Sequence, residues 1–221
     1  MQLETGLIIL ESILLIVTVI LLAYSIKEGK QRDKLLMEVS RATKVLSRQE
    51  YFLTVIHAMV EAKTEVTGCI TGRIPQGDDK QMTRDIIVLL ERLTSRGVRV
   101  KYLLPKFPDR LHIGYLYTKA GAEVCYSNCL MVHNMRFIIV DGKTSVIGIP
   151  ESTGEKEATK KGYRIPSEGL ASVLEHYFNS CEKQLSFIDY LKEVMSYTGA
   201  TLEHLAHEIQ IDAEELKKLI G

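Results

Sequence analysis

The first strong pattern along the chain is an apolar run over residues 6–26, GLIILESILLIVTVILLAYSI. A helix of this length spans the hydrocarbon core of a bilayer, which is about 30 Å thick. We therefore predict a transmembrane helix, with residues 1–26 as a single-pass membrane anchor. Glu11 is the only ionisable residue in the run and lies near its outer end. It either snorkels or is protonated there, or it pairs helices or relays protons.

The residues on either side of the apolar run indicate its orientation. No basic residue precedes it, and four follow at once: Lys27, Lys30, Arg32 and Lys34. Basic residues favour the cytoplasmic side of a membrane. No small-residue cleavage site follows the run, so a removable signal peptide is not expected. We expect the chain in the cell membrane, with its short N terminus outside and its folded part in the cytoplasm.

Residues 27–50 predict a juxtamembrane helical linker. Seam positions recur there and beyond at alternating spacings of four and three, at Leu35, Val39, Ala42, Leu46, Gln49, Leu53, Ile56 and Val60. This is the heptad spacing of a helix pair. The alternative is a single amphipathic helix that lies along its own domain. Beyond Glu50 the apolar face broadens, so we expect the linker to become the first packed helix of a globular domain.

Residues 51–196 alternate between strand and helix patterns. Residues 135–148, MRFIIVDGKTSVIG, predict a strand, a tight Asp-Gly turn and a second strand. Residues 83–96 have a broad apolar face and precede Gly97, which predicts a capped helix, and residues 98–104 follow as a strand. The polar residues 151–166 predict a loop, and residues 167–197 predict one or two helices. The expected fold class is α/β, with a mixed sheet flanked by helices and preceded by the transmembrane helix.

Residues 197–221 predict a small C-terminal appendage of two short amphipathic helices. Asp212 and Glu215 have the spacing of a capping pair. The two helices resemble the opening of a helix-turn-helix. However, acidic residues begin the second helix, where they would face nucleic-acid phosphates, and no basic run accompanies them. We expect a packing or protein-contact module and no nucleic-acid partner.

The composition limits the remaining possibilities. The 221 residues contain 28 Lys and Arg and 28 Asp and Glu, so no net field gathers nucleic acid or anionic lipid. A hydrophobic content of 46% fits one α/β domain with an appendage. The four cysteines lack the paired spacing of a zinc site: Cys69, Cys125, Cys129 and Cys181. We expect reduced, buried thiols, no metal site and no cofactor.

Residues 134–151 resemble the signature segment of the phospholipase D superfamily. That signature is His-x-Lys-x4-Asp, followed after six residues by Gly-Ser-x-Asn. This chain fills the frame with Asn134, Arg136, Asp141, Gly148, Ile149 and Glu151. The resemblance extends from about Ile56 to Lys183 through AKTEVTGCITGRIP, LLERLTSRGVRVKYLLP and LYTKAGAEVCYSN. It implies a phospholipase D-like mixed sheet.

The resemblance also implies phosphoryl transfer, in which a histidine from each of two motifs serves as nucleophile and as general acid. Asn134 stands at the position of the histidine, and its amide nitrogen has no available lone pair for attack. His133 is one position earlier. Because side chains alternate between the two faces of a strand, His133 points away from Arg136 unless a bulge re-aims it.

Ligand binding is less affected than catalysis by these changes. The planar fork of Arg136 suits a phosphate. Gly-Ser-x-Asn has become Gly-Ile-Pro-Glu, which places the carboxylate of Glu151 near an anionic ligand and opposes turnover. We therefore take Asn134, Arg136, Asp141 and Gly148 as candidate ligand-binding residues, and His133 as the candidate catalytic residue.

Three functions remain. The first is a phospholipase D-like module without turnover that binds or senses a phosphate-containing ligand or acts as a scaffold, as degenerate domains of archaeal TrmB-type regulators do by analogy. The second is an active phosphodiesterase, of the phospholipase or nuclease type, that uses His133. The third is a membrane-tethered transcriptional regulator. Single-motif members of the superfamily build one site from two subunits, and no second His-x-Lys occurs here, so we expect a homodimer.

Overall fold

The computed structural model describes residues 14–30, 48–77, 79–150 and 159–220. The chain divides into two compact units, Met1–Ala42 and Thr43–Gly221. Glu11, Glu151, the seam positions within 31–47 and residues 6–13 of the predicted transmembrane helix lie outside the described residues.

In the first unit, residues 14–30 form a helix, α1. Its large apolar side chains are exposed: Leu14, Leu15, Ile16, Val17, Val19, Ile20, Leu21, Leu22, Tyr24 and Ile26. Across the described ranges, no helix combines the length and the hydropathy that a membrane crossing needs.

In the second unit, the described residues form a mixed sheet of seven strands flanked by helices, which confirms the α/β class and the mixed sheet of the prediction. The strands are β1 Glu65–Cys69, β2 Arg99–Pro105, β3 Glu123–Ser127, β4 Arg136–Val140, β5 Thr144–Pro150, β6 Thr159–Pro166 and β7 Leu185–Ser186. Their order across the sheet is β6-β5-β4-β1-β2-β3-β7. The central strands β1, β2 and β3 are parallel, and the other neighbouring pairs are antiparallel.

The helices cover both faces of this sheet. They are α2 Arg48–Val60, α3 Asp79–Ser95, a 3-10 turn Pro108–Arg110, α4 Leu111–Lys119, α5 Leu130–Asn134, α6 Glu168–Ser180, α7 Phe187–Thr198, α8 Leu202–Glu208 and α9 Ala213–Ile220. The larger core cluster contains α2, α3, α4, α7 and the two C-terminal helices, whereas the smaller cluster contains α5 and α6. Ile138 and Val140 belong to the larger cluster, and Phe137 and Ile139 to the smaller, as the alternation of a strand requires.

The strongest sequence patterns predicted their elements correctly. The Asp-Gly hairpin is present as β4 and β5, and both Asp141 (φ 51°) and Gly142 (φ 64°) have the positive φ of a type I′ turn. The predicted helix before Gly97 is α3, which buries Ile86, Leu89, Leu90 and Leu93. Gly97 has a φ of 81°, the left-handed conformation expected after a helix end.

Three local predictions are wrong. Residues 159–166 form the edge strand β6, not a loop, because β5 supplies the backbone partners of this segment. His133 and Asn134 lie on helix α5, not on a strand. Asp212 caps α9 by accepting from the backbone of Glu214 and Glu215, but the Glu215 side chain bonds Tyr115 and Lys119 of α4 instead of completing a capping box.

Cys129 and Cys181 are joined by a disulfide, so the expectation of reduced thiols is wrong for this pair. Cys129 is the residue before α5, and Cys181 is the residue after α6. The bond therefore fastens the short helix α5 to the end of α6 in the smaller core cluster. Cys69 and Cys125 are free thiols.

Candidate functional site

The candidate site lies at the end of the sheet that is formed by the carboxyl ends of the parallel strands β1, β2 and β3. Because β4 runs antiparallel to β1, the start of β4 lies beside the end of β1, and Phe137 pairs with Cys69. On the other side of β4, Arg136 pairs with Gly148 near the end of β5. Ligand sites of α/β sheets are typically built outside the carboxyl ends of parallel strands. The topology thus brings Arg136 and Gly148 to a position where a ligand site is expected.

The Arg136 side chain is only 4% exposed and is directed at backbone carbonyls. Its Nη1 donates to the carbonyl of Val132, at 3.2 Å, and to that of Met135, at 3.0 Å. A buried cation requires such partners, since burying a charge is costly. Both carbonyls belong to α5 or to the residue after it, so the guanidinium ties the start of β4 to α5.

The positive charge of Arg136 also acts on two buried neighbours. Burial raises the pKa of the Cys69 thiol to about 12, and Arg136 opposes this rise. Burial likewise raises the pKa of the Tyr51 hydroxyl, with Arg136 again acting in the opposite direction. Both groups are therefore neutral near pH 7, and Cys69 is not a thiolate nucleophile.

Tyr51 of α2 lies over the neighbouring part of this edge. Gly148 pairs with Gly162 of β6, and a Cβ atom on Gly162 would overlap the Tyr51 side chain. Tyr51 itself is buried. Glycine at position 162 thus allows α2 to approach the sheet beside Gly148. Sequence reasoning placed Tyr51 only on a broad apolar helix face, and no local signal pointed to this contact.

Asn134 and His133, the two residues at the position that the resemblance gives to a histidine, differ in their surroundings. Asn134 is exposed, and its side-chain amide donates to the carbonyl of Leu130 one turn earlier in α5, at 3.1 Å. The half-buried ring of His133 meets the ring of Phe107 edge-on, with centroids 5.5 Å apart. Since both residues are helical, the alternation argument for a strand does not apply to them.

Phe107 is also the centre of a cluster that the sequence analysis missed. The Arg110 guanidinium carbon lies 5.5 Å from the Phe107 ring centroid, within cation–π range, and Arg110 forms an ion pair with Asp109. The neighbouring Lys106 is 14% exposed and binds Glu193 at 2.9 Å. We call Lys106, Phe107, Arg110 and His133 the basic edge. Its sequence signal was the segment KFPDR directly after a buried strand, the position where α/β sheets place ligand sites.

The loop after β1 lies against the same region. Gly72 has a φ of 65°, and a Cβ there would overlap the side chain of Leu104 and lie 3.6 Å from the Cβ of Arg110. A larger residue with a left-handed backbone would therefore be strained and crowded at this position. The close approach brings the residues that follow β1 beside the basic edge.

Asp141 lies at the opposite end of β4 from Arg136. Its Oδ1 accepts from the backbone amides of Thr64 and Glu65, at 2.9 and 3.0 Å, and from the Thr64 hydroxyl at 2.8 Å; its Oδ2 accepts from the amide of Lys63 at 2.9 Å. Burial alone would raise the pKa of the Asp141 carboxyl, but these hydrogen bonds lower it to about 2.

The length of β4 separates Asp141 from the rest of the motif. Five residue steps along a strand span roughly 16 Å, so Asp141 and Arg136 cannot share one phosphate. Asp141 instead fixes the hairpin turn to the start of β1. The structure therefore brings Arg136, Gly148 and the helix that carries His133 and Asn134 to the end of the sheet where β4 begins. Asp141 lies at the opposite end of β4.

No protein-family model matches the sequence, and no curated protein matches it. Similar solved structures include Nuc from Salmonella typhimurium, a phospholipase D family member (21% identity, TM-score 0.49, 65% of this chain and 96% of that one), and NucT from Helicobacter pylori (16%, 0.49, 65% and 98%). TrmBL2, an archaeal chromatin protein that binds DNA, is also similar, with 18% identity and a TM-score of 0.48. The match covers 72% of this chain and 63% of TrmBL2. Known structures that resemble this chain thus include a phospholipase D family member.

Proposed function

We propose that the chain is a membrane-anchored, phospholipase D-like module that has lost turnover and binds a phosphate-containing ligand, as a sensing or scaffold domain. The observation that carries the loss of turnover is the use of the motif side chains. Arg136 donates to the carbonyls of Val132 and Met135, and Asn134 donates within its own helix. These side chains serve the fold at the positions where the resemblance expects catalysis.

The basic edge supports the binding part of this proposal. Lys106 and Arg110 carry charged N–H donors just beyond the carboxyl end of β2, and the Arg110 guanidinium lies over the Phe107 ring. Charged donors form the stronger hydrogen bonds to phosphate. An arriving anion competes with Glu193 for Lys106 and with Asp109 for Arg110. We therefore expect weak binding of inorganic phosphate and stronger binding of a larger phosphate ester that also contacts the Phe107 ring.

The test combines turnover with phosphate binding. The purified protein should not hydrolyse a bis-aryl phosphate. Titration with inorganic phosphate or tungstate, followed by nuclear magnetic resonance, should shift the signals of the basic edge. Lys106→Gln should weaken binding several-fold, whereas Lys143→Gln, an exposed lysine at the hairpin turn, should leave it unchanged. His133→Ala should change binding little, because the His133 ring packs against Phe107, whereas Lys106 and Arg110 carry the charges that the phosphate meets. Equal loss in both lysine variants would contradict binding at the basic edge.

The second candidate is an active phosphodiesterase that works as a homodimer with His133. The observation in its favour is that His133 is half-buried at the sheet edge where Arg136 begins β4. Two such imidazoles, one from each subunit, would act as nucleophile and general acid. Hydrolysis that His133→Ala abolishes, or a covalent phosphohistidine trapped on the chain, would establish this enzyme and refute the loss of turnover.

The membrane anchor rests on the sequence of residues 6–26 and on the exposed apolar side chains of α1. We propose that these residues hold the chain in the cell membrane with the folded domain in the cytoplasm, as the basic residues after the run favour. The full chain should resist extraction by carbonate, and a chain without residues 1–30 should not. Appearance of both proteins in the soluble fraction would refute the anchor.

The Cys129–Cys181 disulfide is a reason to test the proposed orientation directly. Disulfides persist mainly in oxidising compartments, and inside the cells of hyperthermophiles. Treatment of intact cells with an impermeant protease should leave a cytoplasmic domain whole and should cut one that lies outside. Cleavage of the domain in intact cells would reverse the proposed orientation.

No nucleic-acid partner is proposed for the C-terminal helices. Leu216 of α9 is fully buried, and Glu215 is held by Tyr115 and Lys119 of α4. These contacts use the helices for packing, and their acidic residues repel phosphates. A gel-shift assay with random duplex DNA at low salt should therefore show no complex, and a salt-sensitive complex would revive the transcriptional regulator.

A further inference from the structure

The four cysteines share one face of the sheet. Cys69 and Cys181 belong to the smaller core cluster, and Cys125 and Cys129 pack against it. Cys69 pairs with Leu103, which pairs with Cys125 on the next strand. The two free thiols are therefore separated by two strand spacings, or roughly 10 Å, which is too far for a disulfide between them. Burial raises the pKa of both thiols, so exchange at the Cys129–Cys181 bond requires an external thiol.

The Cys129–Cys181 bond lies close to the protein surface. Cys129 is half-buried, and its neighbours Asn128 and Leu130 are exposed, Leu130 to 77%. On the other side of the bond, Cys181 is 8% exposed and is followed by the exposed Glu182. Exchange requires a thiolate to reach one of the two sulfur atoms. Cys129 is the more exposed residue of the pair and is therefore the point of attack.

Hydrogen bonds keep the two cysteine-bearing segments together independently of the disulfide. The hydroxyl of the buried Ser127 accepts from the backbone amide of Cys129 at 3.1 Å and donates to the carbonyl of Glu182 at 3.3 Å. The side-chain amide of Gln184 donates to the carbonyl of Cys181 at 3.1 Å. These bonds do not involve the sulfur atoms. After reduction they hold the two thiols near each other, so the disulfide can form again.

The disulfide is a main attachment of helix α5. This helix has five residues, whereas an isolated helix needs about 12 or more to be stable in water. Val132 is its buried residue, and the side chain of the exposed Asn134 donates within the helix itself. The bond at Cys129 fixes the start of α5 to the end of α6. Reduction removes this constraint on a long loop and shifts α5 towards an open conformation.

Opening of α5 acts directly on Arg136. Its Nη1 donates to the carbonyl of Val132 within α5, at 3.2 Å, and to that of Met135, at 3.0 Å. When α5 opens, the Val132 carbonyl moves away, and the guanidinium loses an acceptor in a site where a charge needs partners. Arg136 itself stays at the end of the sheet, because its backbone pairs with Gly148. A phosphate can replace the lost acceptor through parallel N–H bonds from the guanidinium fork.

We propose that Cys129 and Cys181 form a thiol–disulfide exchange site, at which reduction by a dithiol opens α5 and makes Arg136 available to a phosphate group. The phosphate part of this inference rests on the proposed function, whereas the exchange and the opening of α5 do not. Disulfides in the cytoplasm, to which the proposed orientation assigns the domain, are usually transient and serve catalysis or redox sensing. The state of the disulfide therefore determines whether Arg136 serves the fold or the ligand.

The exchange takes place in two steps. A thiolate of the dithiol attacks Sγ of Cys129, which forms a mixed disulfide and breaks the bond to Cys181. Cys181 leaves as a thiolate and takes a proton from water. The second thiol of the reductant loses its proton and attacks the reductant's own sulfur in the mixed disulfide. This attack releases Cys129 as a thiolate, which is protonated in turn. Two electrons pass to the cysteine pair, and the dithiol becomes a disulfide.

The first test compares the oxidised and reduced full chain in detergent. After treatment with dithiothreitol, alkylation and mass spectrometry should show Cys129 and Cys181 modified together, before the fully buried Cys69. An arginine-specific dicarbonyl reagent should modify Arg136 ~10-fold faster or more after reduction, because local opening exposes the guanidinium. Reoxidation should restore the protection of Arg136. Cys125→Ser is the matched control, since it keeps the disulfide and should behave as wild type in both states.

The second test measures the binding of inorganic phosphate to both states by nuclear magnetic resonance. In the reduced chain, phosphate should shift the signals of Arg136 and Gly148 and should bind ~10-fold more tightly, as for one added charge-assisted contact. In the oxidised chain, phosphate should leave these two signals in place. Cys181→Ser should behave as the reduced chain without any reductant, and Cys129→Ser gives the same state through the other cysteine.

Equal modification of Arg136 and equal phosphate affinity in both states overturn the proposal, even where the basic edge binds phosphate. Absence of phosphate binding in both states refutes the proposed function and the phosphate part of this inference. The modification of Arg136 then decides by itself whether reduction opens α5. If the serine variants fail to fold, the titration of wild type with dithiothreitol gives the comparison without a substitution. Loss of the whole circular dichroism spectrum on reduction refutes a local opening of α5.

Discussion

The two ends of strand β4 have different roles, although one sequence motif spans both. At its end, the Asp141 carboxylate accepts hydrogen bonds from four donors and fixes the hairpin turn to the start of β1. At its start, Arg136 is buried and bonds carbonyls next to α5, and Asn134 is exposed. The Asp141 end depends on a group that keeps its negative charge, whereas the Arg136 end needs only a donor that reaches two carbonyls. The side chains at the two ends of one motif therefore serve different local purposes in this fold.

The largest expected effect is at the Arg136 end, from the disulfide that holds α5. Cys181→Ser should lower the free energy of unfolding by about 4 kcal/mol, because the bond closes a long loop. Hydrogen exchange should accelerate at α5 and remain slow at the hairpin turn of Asp141. Urea unfolding of wild type with and without a dithiol reductant gives the same comparison. Equal acceleration of hydrogen exchange at both ends of β4 would contradict the separate roles of the two ends.

Arg136→Leu should destabilise the protein by about 3 kcal/mol, since the carbonyls of Val132 and Met135 lose their donor in a buried site. Thermal unfolding measures the change, and Arg99→Leu, at an exposed ion pair with Glu65, serves as the control with less than about 1 kcal/mol. A loss of phosphate binding by Arg136→Leu without a loss of stability would assign Arg136 to the ligand instead of the fold.

Asp141→Asn should cost about 1–2 kcal/mol near pH 7, because the amide keeps the size but not the charge of the acceptor. The folded pKa of about 2 lies below the unfolded value of about 3.9. The stabilisation is therefore complete above pH 4 and is lost as the pH falls towards 2. Unfolding measured between these values should show a smaller pH dependence in Asp141→Asn than in wild type. Identical pH dependence of unfolding in both proteins would show that the charge of Asp141 does not stabilise the fold.

The smallest expected effect is at Asn134. Asn134→Ala should change stability by less than about 0.5 kcal/mol, because the exposed amide bonds only its own helix. Asn134→His should restore no hydrolysis of a bis-aryl phosphate, since a histidine there would stand on an exposed helix position. Turnover by this single variant would show that the reaction centre is still assembled.

The elements that the sequence predicted well are those defined by local rules. The Asp-Gly turn between alternating strands and the glycine after the apolar face of α3 depend on backbone conformation and burial within a short segment. Helix α5 and strand β6 were mispredicted because neither segment has a local sequence pattern of its element. Five residues of α5 give no helical period, and the charged strand β6 depends on β5 for its partners.

The candidate site was predictable only in part. The motif frame selected Arg136 and Gly148 as candidates, and the structure pairs them across β4 and β5. The basic edge went unrecognised because Phe107, Arg110 and His133 come from two segments that only folding brings together. The Cys129–Cys181 bond joins residues 52 positions apart, and spacing alone cannot determine such a pair.

The sequence by itself determined the mixed α/β class, the Asp-Gly hairpin, the apolar N-terminal run and the presence of asparagine at position 134, where the motif that it resembles has histidine. Hydrophobic periodicity and turn chemistry act over a few residues, so these features can be inferred without neighbours in space. The tertiary structure decided what the motif residues do. It turned Arg136 towards carbonyls, placed Asp141 beyond the reach of Arg136 and left Leu53 and Val60 of α2 exposed, because each of these depends on which distant segments pack together.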